Sequence, residues 1–193
     1  KDDKEELKDD KEKLKDDKEK VSNTKDEEII DSDDYLLHLE DILIKVHDEF
    51  YNEYDQKMKY KTESEQIKLP DLKELIPLVK KKVLTGVNTV FSSVIPTNIE
   101  PKDNKLVKIA RTFGATVTQE VITEGSPRTT HLVAGRWGTA KVNKCIKAKN
   151  IWIVNPNWLY TCAERWEKVD EMLFQLDKND DFRELSKYNK MMS

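Results

Sequence analysis

Between residues 84 and 166, short apolar runs alternate with amphipathic segments, and this alternation restricts the fold more than any other feature of the chain. The runs LTGVNTVFSS, TVTQEVI, THLVA and IWIV predict strands, whereas NKLVKIARTFGATV, GTAKVNKCIKA and NPNWLYTCAERW contain the helices. Apolar strands that alternate with helices are typical of a parallel sheet covered on both faces. The sequence therefore predicts an α/β domain with a small, mostly parallel, four-stranded sheet flanked by helices.

Three residues in this region predict where helices begin and end. Gly114 follows an amphipathic run, in the position of a glycine C-cap. Asn155 and Pro156 precede the last helix as N-cap and first-turn proline. The two cysteines of the chain, Cys145 and Cys162, lie in apolar or helical surroundings, and we expect both to be buried as small apolar groups.

The first 32 residues predict a charged, disordered spacer. Residues 1–21 repeat KDDKEEL, KDDKEKL and KDDKEKV, with one apolar residue in every seven. A coiled coil needs two apolar positions per heptad, so the repeat does not predict one. An acidic stretch over 22–34 follows, and segments of this kind bury too little apolar surface to fold.

Residues 33–83 predict a helical segment. A helix over 35–54 has its apolar residues at spacings of three and four: Leu36, Leu39, Leu43, Val46, Phe50 and Tyr54. A polar loop follows over 55–68, and then a second apolar stripe that Pro77 should break into two turns or kink. We expect the first helix to pack on the α/β domain or on another domain of the parent protein. Residues 177–193 are predicted to form a C-terminal tail.

Composition excludes several classes of protein. No apolar run reaches transmembrane length, so no membrane association is expected. The net charge of −4 argues against nucleic-acid binding through bulk charge. No histidines and cysteines stand at metal-ligand spacing. Because the sequence begins with Lys1, we expect it to be a fragment or a processed form.

The order of these elements resembles a BRCT domain over residues 84–176. The matching pieces are VFSSVIP, FGATV, THLVA, GTAKVNKCIKA and IWIVNPNWLYTC. The resemblance implies that Trp158 is the core tryptophan of the last helix. Over residues 31–176, the helix DDYLLHLEDILIKVHDEFY, the segment LKELIPLVKKKVL, a single such domain and the ending WEKVDEML resemble the C-terminal part of the TFIIF-associating RNA polymerase II C-terminal-domain phosphatases.

Those phosphatases use a DxDxT motif with Mg²⁺, and this chain does not contain it. The nearest match is Asp31-Ser32-Asp33-Asp34-Tyr35, with Tyr where Thr is needed and no preceding strand. We therefore expect no catalytic residue, no metal site and no cofactor in this chain. The resemblance implies that the catalytic centre and its Mg²⁺ lie upstream of Lys1.

A basic stretch indicates a binding site instead. No Asp or Glu occurs between Gly125 and Ala163, whereas this span contains Arg128, Arg136, Lys141, Lys144, Lys147 and Lys149. On a helical wheel, Val142, Cys145 and Ile146 fall on one side and the lysines on the other. A solvated lysine face is the simpler interpretation of this helix.

The resemblance gives the basic site a specific form. In phosphopeptide-binding BRCT domains a Ser/Thr hydroxyl, the next backbone N–H and a lysine in a T-x-K motif hold one phosphate. The matching positions are Ser92, Ser93, Thr139 and Lys141, with Ser93 where glycine is commoner. Arg136 and Lys144 are the predicted secondary basic residues.

Three hypotheses about function follow. The first is a phosphoprotein-binding module that recruits a nuclear phosphatase to the phosphorylated RNA polymerase II tail, with TFIIF as a further partner. The second is a BRCT scaffold module of a DNA repair or replication protein, which binds a protein partner or DNA. The third, an enzyme in its own right, is disfavoured by the missing motif. A purely structural BRCT domain stays open beside them.

Overall fold

The computed structural model describes residues 34–59, 69–96 and 98–182. The prediction for the spacer over 1–32 lies outside these ranges, and so do residues 60–68 of the loop predicted over 55–68 and the tail beyond residue 182. Every element described below belongs to one unit of the chain, Tyr35–Ser193.

The strands are β1 (Asn88–Ser92), β2 (Thr116–Thr118), β3 (His131–Ala134) and β4 (Trp152–Val154), which form one parallel sheet in the order β2-β1-β3-β4. In its register Val90 pairs with Thr118 on one side and with Leu132 on the other. Helices cover both faces, so β1 and β3 are buried along almost their whole length. The predicted α/β fold is confirmed.

The helices are α1 (Tyr35–Lys59), α2 (Leu72–Val83), α3 (Lys105–Thr112), α4 (Ala140–Ala148) and α5 (Pro156–Arg165), with short 3₁₀ helices at Pro101–Asp103 and Glu171–Phe174. On one face of the sheet α3 and α5 pack with Phe91, through residues such as Val107 and Trp158. On the other face Val142 of α4 packs with Val90. Val90 and Phe91 are neighbours in β1, and the pleat directs them to opposite faces.

The capping residues predicted from the sequence cap these helices. The Asn155 side chain accepts a hydrogen bond from the backbone N–H of Asn157 at 3.0 Å, with Pro156 as the first residue of α5. Gly114 follows α3 at φ +96°, a left-handed conformation that glycine adopts readily. Both cysteines are buried, and burial raises the pKa of each thiol to about 11. The predictions for Asn155, Gly114, Cys145 and Cys162 are confirmed.

Trp158 is the centre of the first core, as predicted. It is fully buried, and its indole N–H donates to the carbonyl of Val169 at 3.0 Å. The His131 ring stacks on the indole at 4.7 Å between centroids, and its Nε2 lies 2.9 Å from Glu171 Oε1. Burial lowers the pKa of His131. Burial alone would raise the pKa of Glu171, but hydrogen bonds from Lys168 and His131 bring it down to about 2.

The helical segment before the sheet differs from the prediction in two respects. α1 extends to Lys59, beyond the predicted end at residue 54. α2 runs as one helix through Pro77, so of the two expected outcomes, separate turns or a kink, the separate turns are wrong. Pro77 removes only the hydrogen bond to the carbonyl of Lys73, and this residue is exposed, so water can satisfy the carbonyl.

α1 packs on the domain through its middle, where Lys45 Nζ donates to the Trp166 carbonyl at 3.3 Å and Glu49 pairs with Lys82 at 2.5 Å. Its predicted apolar face is only partly covered, since Leu36 and Leu43 stay 73% and 59% exposed. α2 has 12 residues and α1 has 25, so α2 is too short to cover the whole of α1. Within the described ranges, no helix is long and apolar enough to cross a membrane.

Two further predictions are corrected by the structure. The predicted strand TVTQEVI keeps only Thr116–Thr118, because the Thr118 hydroxyl donates to the Glu120 carbonyl at 3.2 Å and the chain turns there. Ile146 is 44% exposed and does not share the buried side of Val142 and Cys145. Cys145 and Ile146 lie about 100° apart around the helix, and the sheet covers only the first of them.

Candidate functional site

The C-terminal end of β1 and the N-terminus of α4 lie side by side, because β1 and β3 are neighbours and a short connection leads from β3 to α4. Ser92 Oγ lies 2.9 Å from Thr139 Oγ1. Thr139 is also the N-cap of α4, and its hydroxyl accepts from the Val142 N–H at 3.2 Å. When Thr139 donates its own proton to Ser92, the Ser92 proton is free for a ligand.

Ser93 directs its backbone N–H away from β3. The Ser92 carbonyl accepts from the Gly135 N–H, which follows β3, at 2.9 Å. In a trans peptide the next N–H points the opposite way, toward the β2 side of β1. β2 ends at Thr118, and the Ser93 N–H meets no hydrogen-bond acceptor within the described ranges. It is therefore a donor available to a ligand.

Lys141 extends from α4 to the same side of β1. Its Nζ donates to the Phe91 carbonyl at 3.2 Å and to the Gln119 carbonyl at 2.5 Å. An ammonium group has three donors, so one is left for a ligand after these two bonds. The structure thus brings Ser92, Ser93, Thr139 and Lys141 to one corner of the sheet, which we call the β1–α4 corner.

The two predicted secondary basic residues, Arg136 and Lys144, do not belong to the β1–α4 corner. Lys144 donates to the Val121 carbonyl at 2.8 Å and ties α4 to the β2–β3 loop. Arg136 is exposed, and its backbone forms an antiparallel bridge with Asp181. Trp137, next to it, is half-buried against the core group that contains Val90 and Val142. The lysine face of α4 is therefore not simply solvated, since Lys141 and Lys144 both bond to backbone carbonyls.

A cleft of about 500 Å³ adjoins the β1–α4 corner, between the chain that follows β1, α3 and β2. Its apolar lining includes Phe91, Ile95, Pro101, Val107 and Val117, and charged side chains surround it: Glu100, Lys102, Arg111, Glu120 and Lys141. We call it the β1–α3 cleft. Lys141 belongs to both the corner and the cleft, so the two are continuous.

The stretch that comes nearest to a DxDxT motif is mostly undescribed. Of the nearest match to a DxDxT motif, Asp31 to Asp33 lie outside the described ranges. Within those ranges, no group of three or more His, Cys, Asp or Glu side chains is placed to hold a metal ion.

Comparison with protein families assigns the domain. The model of the BRCA1 C Terminus (BRCT) domain matches residues 79–163. This chain carries a BRCT domain. The β1–α4 corner and the sheet lie within the matched residues, and so does the second half of α2.

Several proteins that this chain resembles are named as phosphatases. The human phosphatase of the RNA polymerase II C-terminal domain is 38% identical over 130 residues, which cover 66% of this chain and 13% of that protein. The Caenorhabditis elegans enzyme of the same name is 36% identical over 60% of this chain and 16% of its own length. A structure of the fission yeast RNA polymerase II CTD phosphatase Fcp1, bound to beryllium fluoride, matches with a TM-score of 0.60 and 32% identity over 74% of this chain and 37% of that one.

These matches confirm the resemblance of this chain to the C-terminal-domain phosphatases, and the family model confirms the BRCT domain. The chain spans less than a fifth of the length of these two curated relatives.

Some features of the site gave no signal in the sequence. The carbonyls of Gln119 and Val121 accept from the two lysines of α4, but any residue supplies a carbonyl. In the sequence, nothing distinguishes Arg111 from other polar residues of α3. It lines the cleft because of the way in which α3 crosses the end of β1. The packing of α3 and α4 on the sheet brings these carbonyls and Arg111 to the site.

Replacing Ser93 with glycine is expected to stabilise the domain without loss of phosphate binding. Ser93 has φ +56°, which costs an L-residue about 1 kcal/mol, and glycine keeps the N–H that a ligand would use. We expect the free energy of unfolding in urea to rise by roughly 0.5–1 kcal/mol. Lys149→Gly, at φ +59° away from the corner, is the matched control and should stabilise similarly. A loss of phosphopeptide affinity in Ser93→Gly alone would contradict this account.

Proposed function

We propose that this chain is the phosphoprotein-binding BRCT module of an RNA polymerase II C-terminal-domain serine/threonine phosphatase, which recruits the enzyme to the phosphorylated polymerase tail. The observation that carries the proposal is the contact of the Ser92 and Thr139 hydroxyls, 2.9 Å apart, beside the Lys141 ammonium. The phosphatase relatives support the choice of ligand, because their names specify the polymerase C-terminal domain.

The chemistry of the corner suits a phosphate. A hydroxyl, a free backbone N–H and an ammonium are all donors, and a phosphate oxygen accepts from each of them. The N-terminus of α4 adds a partial positive charge. The sequence from Gly125 to Ala163 contributes no carboxylate that would repel the ligand.

The wider role follows from the family and belongs to the same proposal. In a parent phosphatase the catalytic centre and its Mg²⁺ would lie outside this chain, and the BRCT module would hold the tail near that centre. Association with TFIIF and a nuclear location complete the proposal.

A titration tests the proposal. The chain is mixed with fluorescent polymerase-tail peptides that differ only in serine phosphorylation, and we expect the phosphorylated peptide to bind at least about tenfold tighter, the effect of one charge-assisted contact. Equal affinity for both peptides would overturn it.

The same assay separates the alternative function, in which the basic stretch binds DNA. A short DNA duplex replaces the peptide, and salt is raised from about 50 to about 200 mM. A contact with several phosphates weakens steeply over this range, whereas a pocket for one phosphate weakens little. Tight duplex binding with a steep salt dependence, together with phosphate-independent peptide binding, would favour the repair or replication scaffold.

A further inference from the structure

The β1–α3 cleft has the size and surface of a binding site for a side chain. At about 500 Å³ it lies within the range of roughly 300–1,000 Å³ typical of ligand pockets. Phe91, Ile95, Val107 and Val117 line it from the strand end, the following loop, α3 and β2. Such a lining favours an apolar group over water.

The cleft is continuous with the phosphate-binding corner. Lys141 lines the cleft, and the same ammonium bonds to the Phe91 carbonyl at the end of β1, next to Ser92. A peptide with its phosphate at the corner therefore has its neighbouring residues beside the cleft.

Arg111 is the second feature that indicates an extended ligand. It is exposed at the cleft, and its guanidinium has no ion-pair partner among the residues that the structure describes, whereas Lys102 pairs with Glu100 at 2.8 Å. A guanidinium has donors only, and the carbonyls of a peptide backbone are suitable acceptors.

We propose that the β1–α3 cleft is the specificity subsite of this BRCT domain, which takes an apolar side chain close to the phosphorylated residue of the peptide while Arg111 donates to the peptide backbone. The inference rests on the proposed function, because the phosphate at the corner sets the register of the peptide. It assigns sequence preference to the cleft and phosphate dependence to the corner.

Serine-phosphorylated peptides with alanine, leucine or tyrosine at each of the three positions on either side test the proposal by fluorescence polarisation. At one position leucine or tyrosine should bind roughly five- to tenfold tighter than alanine, from partial burial of one apolar side chain. Ile95→Ala should reduce that preference to about twofold or less. Ile99→Ala is the matched control, because Ile99 lies in the same connection outside the cleft lining and should leave the preference unchanged.

A second pair of variants tests the role of Arg111. Arg111→Ala should weaken all phosphopeptides by a similar factor of about three to ten, because the net contribution of one hydrogen bond from an exposed side chain is small. Lys108→Ala removes an exposed cation from the same helix outside the cleft and should change nothing.

The outcomes separate the two proposals. Phosphate-dependent binding without any preference at the flanking positions, or with a preference that Ile95→Ala leaves intact, overturns the subsite and leaves the corner standing. Binding that ignores phosphorylation in the unsubstituted chain overturns the corner, and the subsite with it.

Discussion

Lys141→Ala is expected to remove the phosphate-dependent part of peptide binding. The Lys141 ammonium is the only formal positive charge among the four corner residues, and a hydrogen bond from a charged group contributes about 1.5–3 kcal/mol. We therefore expect affinity for a serine-phosphorylated polymerase-tail peptide to fall roughly 10- to 150-fold, with affinity for the unphosphorylated peptide unchanged. Fluorescence polarisation with both peptides measures the difference.

Lys141 also bonds to the Phe91 and Gln119 carbonyls, so its removal could weaken binding by loosening the β2–β3 loop. The control must therefore loosen this loop without removing a group of the corner. Lys144→Ala is that control, since Lys144 ties the same loop to α4 through the Val121 carbonyl but lies outside the corner. If Lys144→Ala weakens phosphopeptide binding as much as Lys141→Ala, the loss comes from a loosened loop. Lys141 would then be a structural tether, and the phosphate-binding role would be wrong.

The sequence predicted the fold well because its local signals agree with one another. Gly114 ends α3 through its left-handed backbone conformation, and Asn155 caps the start of α5 with its side chain. Both effects involve only residues close by in the sequence. Trp158 fills the core of a sheet whose apolar strands alternate with helices. The two helix ends depend on neighbouring residues only, so one sequence is enough to identify them, whereas the place of Trp158 was implied by the resemblance to BRCT domains.

What the sequence could not predict depends on hydrogen bonds and packing that the pattern of apolar residues does not record. The length of β2 is decided by a side-chain bond within the turn after Thr118. The exposure of Ile146 depends on where the sheet ends beneath α4. The lysines of α4 were predicted to face solvent or a ligand, whereas Lys141 and Lys144 bond to the carbonyls of Gln119 and Val121, which lie 22 and 23 residues away in the chain. None of these contacts has a signature in the local pattern.

The residues of the corner came from family resemblance, and the geometry gives them a physical basis. Ser93 is the clearest case, because φ +56° explains why glycine is commoner at that position. Gly135 lies opposite, where an added Cβ would be 2.4 Å from the Ser93 carbonyl oxygen. The turn after β1 is therefore fixed from two sides, which keeps the Ser93 N–H directed toward the β1–α4 corner.

Gly114→Ala is expected to cost more stability than any other substitution considered for this chain. An added Cβ would lie 1.9 Å from the Lys81 carbonyl oxygen, and the backbone at φ +96° disfavours a side chain as well. The end of α2 passes against the end of α3 here, where the Leu84 N–H donates to the Phe113 carbonyl at 2.8 Å. We expect a loss of about 3–5 kcal/mol in the free energy of unfolding, measured by urea denaturation.

Gly86→Ala separates the two causes of that loss. Gly86 has φ +84° but no atom within 4 Å of an added Cβ, so its substitution carries the conformational cost alone, about 1 kcal/mol. The difference between the two variants measures how closely α2 packs on α3. If Gly114→Ala costs no more than Gly86→Ala, α2 can move away from α3 at little cost. In that case the helical segment is only loosely attached to the BRCT domain, and α1, which packs on α2, is loosely attached too.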